Sequence, residues 1–318
     1  MKKQQVGYFL FSLILLPVVA VAAPKERQAD IDSSQDDGWI SNGASLGVSW
    51  WKMNPKKLDV IPDPLLYHTE LSYSYSDSSG NTENEFHEGI GQLFLRKNLL
   101  TSDTTFKVYK METVMSLEGD ITRFIEEKQA FFQEFRLAVS PSLEVIAGLN
   151  AVENNSLKFI DHRINYYAGI GGTFVDTPSF SLGGKVAYGL RETSYINENV
   201  SRPILYSIPP VDDYDSDIIS IQADFDWKIT EMVSFSEFAW YRVNLEDTEY
   251  YSLDLTTQLN FNLSDYFSLF IKHEFMFENN TFVESVQDVL DARRAQGENV
   301  GAIDDTDTRL SMGITLKF

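Results

Sequence analysis

The sequence predicts an all-β fold, a transmembrane antiparallel up-and-down β-barrel of about 12 strands. Three observations predict it. The N-terminus reads as an export signal, long stretches between residues 66 and 318 alternate apolar and polar residues, and the last strand ends on Phe318.

At the N-terminus, Lys2 and Lys3 precede an uncharged apolar run from Val6 to Ala23. Ala20-Val21-Ala22 supplies the small-x-small pattern that a signal peptidase reads, so residues 1–22 are expected to be a signal peptide. Residues 23–64 then form an N-terminal extension, expected in the periplasm. Its stretch from Trp39 to Trp51, with Gly43 and Gly47, has the look of one extra strand. No second apolar stretch approaches the ~20 residues that a spanning helix requires. A mature chain that enters a membrane must therefore do so as a closed barrel, where every backbone donor and acceptor is paired.

The barrel, 65–318, is expected to contain strands near 66–77, 84–97, 104–116, 129–140, 143–153, 163–175, 179–194, 218–229, 233–245, 250–263, 267–278 and 305–318. The alternation is plainest late in the chain. Ile219, Ile221, Ala223, Phe225 and Trp227 alternate with Ser220, Gln222, Asp224, Asp226 and Lys228. Tyr251 to Leu263 repeats the pattern, and Leu310, Met312, Ile314, Leu316 and Phe318 close it. Each such segment has one apolar and one polar face. Strands of soluble sheets run to about 5–6 residues, whereas a tilted membrane strand needs about 9–11, and these segments have the longer value.

Connections support the same reading. Pro141-Ser142, Asp176-Thr177-Pro178, Thr230-Glu231-Met232 and Ser264-Asp265-Tyr266 are tight turns, while 117–128, 154–162, 195–217 and 279–304 are expected to be longer outer loops. Short periplasmic turns alternating with long outer loops is the arrangement of outer-membrane barrels. In the 279–304 segment, Phe282, Val286, Val289, Leu290 and Arg293 fall at helical spacing, with Asn280 or Thr281 as a cap and Gly297 as a stop.

Composition narrows the classes. With 47 acidic and 26 basic residues, the formal net charge is −21, which opposes a phosphate-binding surface and makes nucleic acid an unexpected partner. The absence of cysteine removes disulfides, thiolate metal sites, a cysteine nucleophile and an acylated N-terminal cysteine. A mean hydropathy of −0.21 suits a barrel, because only alternate residues meet lipid.

The sharpest motif is C-terminal. Ser311, Gly313, Leu316 and Phe318 set a polar residue, a glycine, an apolar residue and a terminal aromatic at fixed spacing, similar to the signal by which outer-membrane barrels are assembled. Further carrying stretches are Ser79-Gly80-Asn81-Thr82, Tyr167-Ala168-Gly169-Ile170-Gly171-Gly172, and Leu182-Gly183-Gly184 through Tyr188-Gly189-Leu190-Arg191-Glu192. On these residues the chain, from Leu66 to Phe318, resembles the salt-induced outer-membrane proteins, the YdiY-like domain of unknown function. The resemblance implies location and architecture, and it brings no catalytic residues.

Polar strand faces give the lumen-lining candidates: Glu134, Arg136, Lys185, Arg191, Asp224, Asp226, Lys228, Asp254, Lys272, Glu274 and Arg309, with Lys317 in the same phase. Mixed signs in a twelve-stranded ring suit either a narrow polar passage or a closed, ion-paired interior. The histidines, His68, His87, His162 and His273, have no metal-binding spacing and no lipase- or omptin-like surroundings; His273 shares phase with lipid-facing residues. Asp213, Asp215 and Asp217 mimic part of a calcium loop but lack its glycine and terminal glutamate, so a solvated acidic rim is the favoured reading, as for Asp304, Asp305 and Asp307. Tyr67, Tyr75, Tyr250, Tyr266 and Phe318, near strand ends, suit interfacial girdles.

The expectation is a non-enzymatic barrel without cofactors in the outer membrane of a Gram-negative bacterium. It is either a narrow channel for ions or small polar solutes linked to salt or envelope conditions, or a structural or adhesive surface barrel with a closed lumen. A barrel hydrolase is a third reading. Expected partners are outer-membrane lipid and lipopolysaccharide, the barrel assembly machinery, and divalent cations at the acidic loops.

Overall fold

Alternation builds twelve strands: β1 (Leu66–Ser78), β2 (Thr82–Lys97), β3 (Leu100–Leu117), β4 (Asp120–Ser140), β5 (Leu143–Asn155), β6 (Ile160–Thr177), β7 (Phe180–Tyr195), β8 (Tyr214–Lys228), β9 (Val233–Asn244), β10 (Tyr251–Asn262), β11 (Phe267–Glu278) and β12 (Thr306–Lys317). One helix, α1 (Thr281–Ala295), lies between β11 and β12. The computed structural model describes residues 54–57, 65–78, 82–117, 120–155, 160–177, 179–195, 213–279, 281–297 and 306–318. The chain divides after Asn42 into two units, and all of these residues belong to the second, Gly43–Phe318. The expected signal peptide, 1–22, and the stretch Trp39 to Trp51 lie outside the described residues.

Every strand pairs antiparallel with its chain neighbours, and β12 pairs with β1 to close the barrel. The closing seam runs from Glu70 opposite Lys317 to Tyr75 opposite Met312. Phe318 prolongs it: its N–H donates to the Thr69 carbonyl at 2.8 Å, and its carbonyl accepts from the Thr69 N–H at 3.0 Å. Closure leaves no sheet edge, which is what a bilayer interior demands.

Alternation also sorts the faces. Leu71, Tyr73, Val186, Tyr188, Leu310 and Met312 point outward and are exposed, whereas Ser74, Glu88, Glu134, Asn165, Lys272 and Ser311 point inward and are buried. This inverts a soluble protein, with the apolar side outside and the charged side within.

Strand heights differ. β9 to β12 have 12 residues each, but β3 has 18 and β4 has 21. The expected long loops at 117–128 and 154–162 are largely strand. β3 and β4 stay paired to Leu117 opposite Asp120, and β5 and β6 to Asn155 opposite Ile160. The charged run Glu126-Glu127-Lys128 resembles a loop in sequence, yet a hairpin prolonged beyond the apolar band is free to carry charge. The short turn after β2 has Asn98 at φ 53°, a left-handed conformation that asparagine tolerates. Helix α1 ends as its spacing predicts: Gly297, at φ +88°, donates its N–H to the Arg294 carbonyl at 2.9 Å.

Of the N-terminal extension, Pro55–Lys57 form a 3-10 turn against the turn end of the barrel. Asn54 Nδ2 donates to the Ser140 carbonyl at 2.9 Å, Lys56 Nζ to the Val139 carbonyl at 2.6 Å, and Lys57 Nζ pairs with Asp176 at 2.9 Å.

Candidate functional site

The inward faces enclose a central cavity of about 470 Å³. Glycines shape it. A Cβ at Gly148 would stand 2.6 Å from Tyr167 Oη, and one at Gly313 would stand 2.5 Å from Phe270 Cζ, so these rings lie where their neighbours have no side chain. Tyr167 packs with Ile146, Ala187 and Phe132 into a small apolar cluster inside an otherwise polar lumen.

Charges gather in three groups. Towards the β4–β7 wall, Glu134 is the hub: Lys185 Nζ donates to it at 2.5 Å and Tyr167 Oη at 3.1 Å, while Arg136 stands 3.8 Å away. Arg136 also lies 4.0 Å from Glu144. Beside the seam, Lys272 pairs with Glu88 and stands 3.2 Å from Glu274, and Arg309 Nη2 donates to Glu274 at 2.5 Å. The Arg309 guanidinium sits 3.6 Å over the Phe86 ring, and Ser74 Oγ donates to Glu88 at 3.1 Å.

A third group holds Arg163, Arg191 and Arg242. Arg163 pairs with Glu278 at 2.6 Å, and Arg242 pairs with Asp254. Arg191 Nε instead donates to the neutral Asn165 Oδ1 at 2.9 Å, and its buried Nη2 has no hydrogen-bond partner among the described residues. Asp224 and Asp226 also line the cavity, whereas Lys228 pairs with Glu231 at 3.0 Å by the β8–β9 turn.

Parity alone brought Arg163, Glu278, Glu88, Tyr167 and Arg242 to the lumen as well. Arg163 begins and Glu278 ends an expected strand, positions where membrane depth is not legible in a periodic pattern.

The remaining candidates scatter. Asp213 precedes β8, and Asp215 and Asp217 lie at its start, where alternate residues project to one side about 7 Å apart. Among the described residues, no group of three or more histidine or acidic side chains is arranged to hold a metal ion. Asp304 and Asp305 lie outside the described residues. His68 faces inward, 3.0 Å from Glu70, and His87 accepts or donates a 2.7 Å bond with Tyr73 on the outer face. His162 stands 3.5 Å from Asp161, and His273 faces outward. In the expected assembly motif, Ser311 and Gly313 face the lumen, and Leu316 and Phe318 face outward.

Residues 69–318 match the family described as "Protein of unknown function, DUF481", and the chain belongs to that family. No curated protein matches it. Among solved structures it is similar to the NanC porin, at 8% identity and a TM-score of 0.44, over 79% of this chain and 100% of that one. The KdgM porin is similar at 9% identity and a TM-score of 0.39, over 78% and 99%. OmpT of Vibrio cholerae is similar at 7% identity and a TM-score of 0.36, over 81% and 100%.

Proposed function

We propose that this member of the DUF481 family resides in the outer membrane of a Gram-negative bacterium and serves as a narrow channel for ions or small polar solutes. The observation that supports this reading is an apolar exterior around a cavity of about 470 Å³ lined by both signs of charge. Outward leucines, valines and aromatics suit lipid and lipopolysaccharide as surroundings, and the closing strand suits recognition by the barrel assembly machinery. Inside, alternating carboxylates and guanidiniums offer a small ion successive partners in place of its water shell. Rings and ion pairs occupy much of the section, so the passage is narrower than that of a 16-stranded porin. This function requires neither an enzymatic step nor a cofactor. A link to salt or envelope conditions belongs to the same reading and rests on the family resemblance.

Refolded full-length protein in planar bilayers tests the proposal. Discrete conductance steps are expected, smaller than those of a large porin; a flat trace at every salt concentration overturns it. One observation favours the second reading, a structural or adhesive barrel with a closed lumen: Arg163 and Glu278 meet across the interior.

A further inference from the structure

The outer faces of β9, β10 and β11 are apolar except for one row. Glu237 stands between Phe235 and Ala239 on β9, Thr257 between Leu255 and Leu259 on β10, and His273 between Ile271 and Phe275 on β11. These three lie side by side, since Thr257 is directly opposite Glu237 on one flank and His273 on the other. Glu237 and His273 are exposed. None of the three side chains has a hydrogen bond or ion pair with another described residue. All stand well inside their strands, Glu237 fifth of 12 residues and His273 seventh of 12.

Another outward polar group on the barrel is satisfied within the chain. Thr104 Oγ1 donates to Gln133 Oε1 at 2.6 Å, and Gln133 Nε2 donates to Ser102 Oγ at 2.9 Å. The row on β9–β11 has no such closure. A carboxylate left alone against lipid is costly, and ionisable groups at that depth normally face a partner.

The row is self-complementary. Two copies inserted in the same orientation are related by a two-fold axis along the membrane normal. With that axis through Thr257, β9 of one copy faces β11 of the other. Because barrel strands tilt, the two rows cross at Thr257: the two Thr257 hydroxyls meet at the centre, and Glu237 of each copy stands on the same side as His273 of the other, about 6 Å away in height and within the combined reach of the two side chains. We propose that the β9–β11 face is a homodimer interface, with the Glu237–Thr257–His273 row as its polar centre and apolar neighbours as its rim. The proposal rests on the membrane placement inferred above.

The chain has no cysteine, so single-cysteine variants report cleanly. Thr257→Cys, oxidised in native membranes, is expected to form a disulfide-linked dimer, while Val186→Cys on the exposed outer face of β7 is not. In the Thr257→Cys background, Glu237→Gln with His273→Gln is expected to lower the cross-linked fraction about tenfold, since the carboxylate–imidazole contacts are removed from a water-poor interface. Retention of heat-modifiable gel migration shows that each variant is folded. Cross-linking at Thr257→Cys no greater than at Val186→Cys overturns the dimer, whether lipid or nothing occupies the row; so does a dimer indifferent to both substitutions. Val186→Cys separates the two levels of the argument. Shielded from a charged, water-soluble maleimide, it upholds the membrane placement whatever the cross-linking shows; labelled freely, it overturns that placement.

Discussion

Arg163 on β6 and Glu278 on β11 form a 2.6 Å ion pair, although their strands stand five places apart in a ring of twelve. A circular ring of twelve tilted strands spaced ~4.8 Å apart would measure about 24 Å across its backbone, beyond the combined reach of the two side chains. The ring is therefore flattened along this chord, and the pair is a strut across the lumen. Arg163→Gln is expected to raise the unit conductance in planar bilayers. It should also lower the urea midpoint, since leaving Glu278 buried without its partner costs about 3 kcal/mol. An unchanged conductance would show that the pair does not limit the conducting path.

A second strut binds the seam. Lys272 on β11 reaches past β12 and β1 to Glu88 on β2, and the two side chains are 4% and 0% exposed. Lys272→Met should destabilise the folded barrel by about 3 kcal/mol, because the carboxylate stays buried while its charge partner is gone. Adding Glu88→Gln to that variant should restore most of the loss. Urea titrations followed by tryptophan fluorescence would measure both.

Arg191 differs from its two neighbours in having a neutral hydrogen-bond partner, Asn165, in place of a carboxylate. Among the described residues no carboxylate is hydrogen-bonded to it, so its charge adds to the positive potential of that part of the lumen wall. Arg191→Gln is expected to shift the reversal potential in a salt gradient towards cation preference, with little change in unfolding midpoint. Equal shifts from Lys228→Gln, at the turn end beside Glu231, would deny Arg191 any special place.

Closure depends on one glycine. A Cβ at Gly313 would lie 2.1 Å from the Tyr73 carbonyl oxygen, a backbone atom that cannot swing aside. Gly313→Val should therefore fail to form the β1–β12 seam, and the protein should migrate as unfolded without heating. Gly91→Ala is the control: its Cβ would meet only Leu71 Cδ2, at an ordinary 3.6 Å.

Helix α1 and the twelve strands were legible because both are written in short-range periodicity. The charged wall residues Lys185, Asp254 and Glu274 were legible for the same reason, since a period of two assigns each side chain to a face. Hairpin height was not. Residues 120–128 alternate less cleanly and carry Glu126, Glu127 and Lys128, so nothing local distinguishes a prolonged ribbon from a loop.

The sequence by itself determined twelve alternating strands and which face of each is polar, because hydrophobic period and turn chemistry act over a few residues. Only the tertiary structure decided who meets whom. Arg163 and Glu278 are 115 residues apart, and Glu88 and Lys272 are 184. Their pairing follows from register, closure and flattening of the ring. The same closure sets Glu237, Thr257 and His273 in one row, because neighbouring strands align residues that alternation can only call outward.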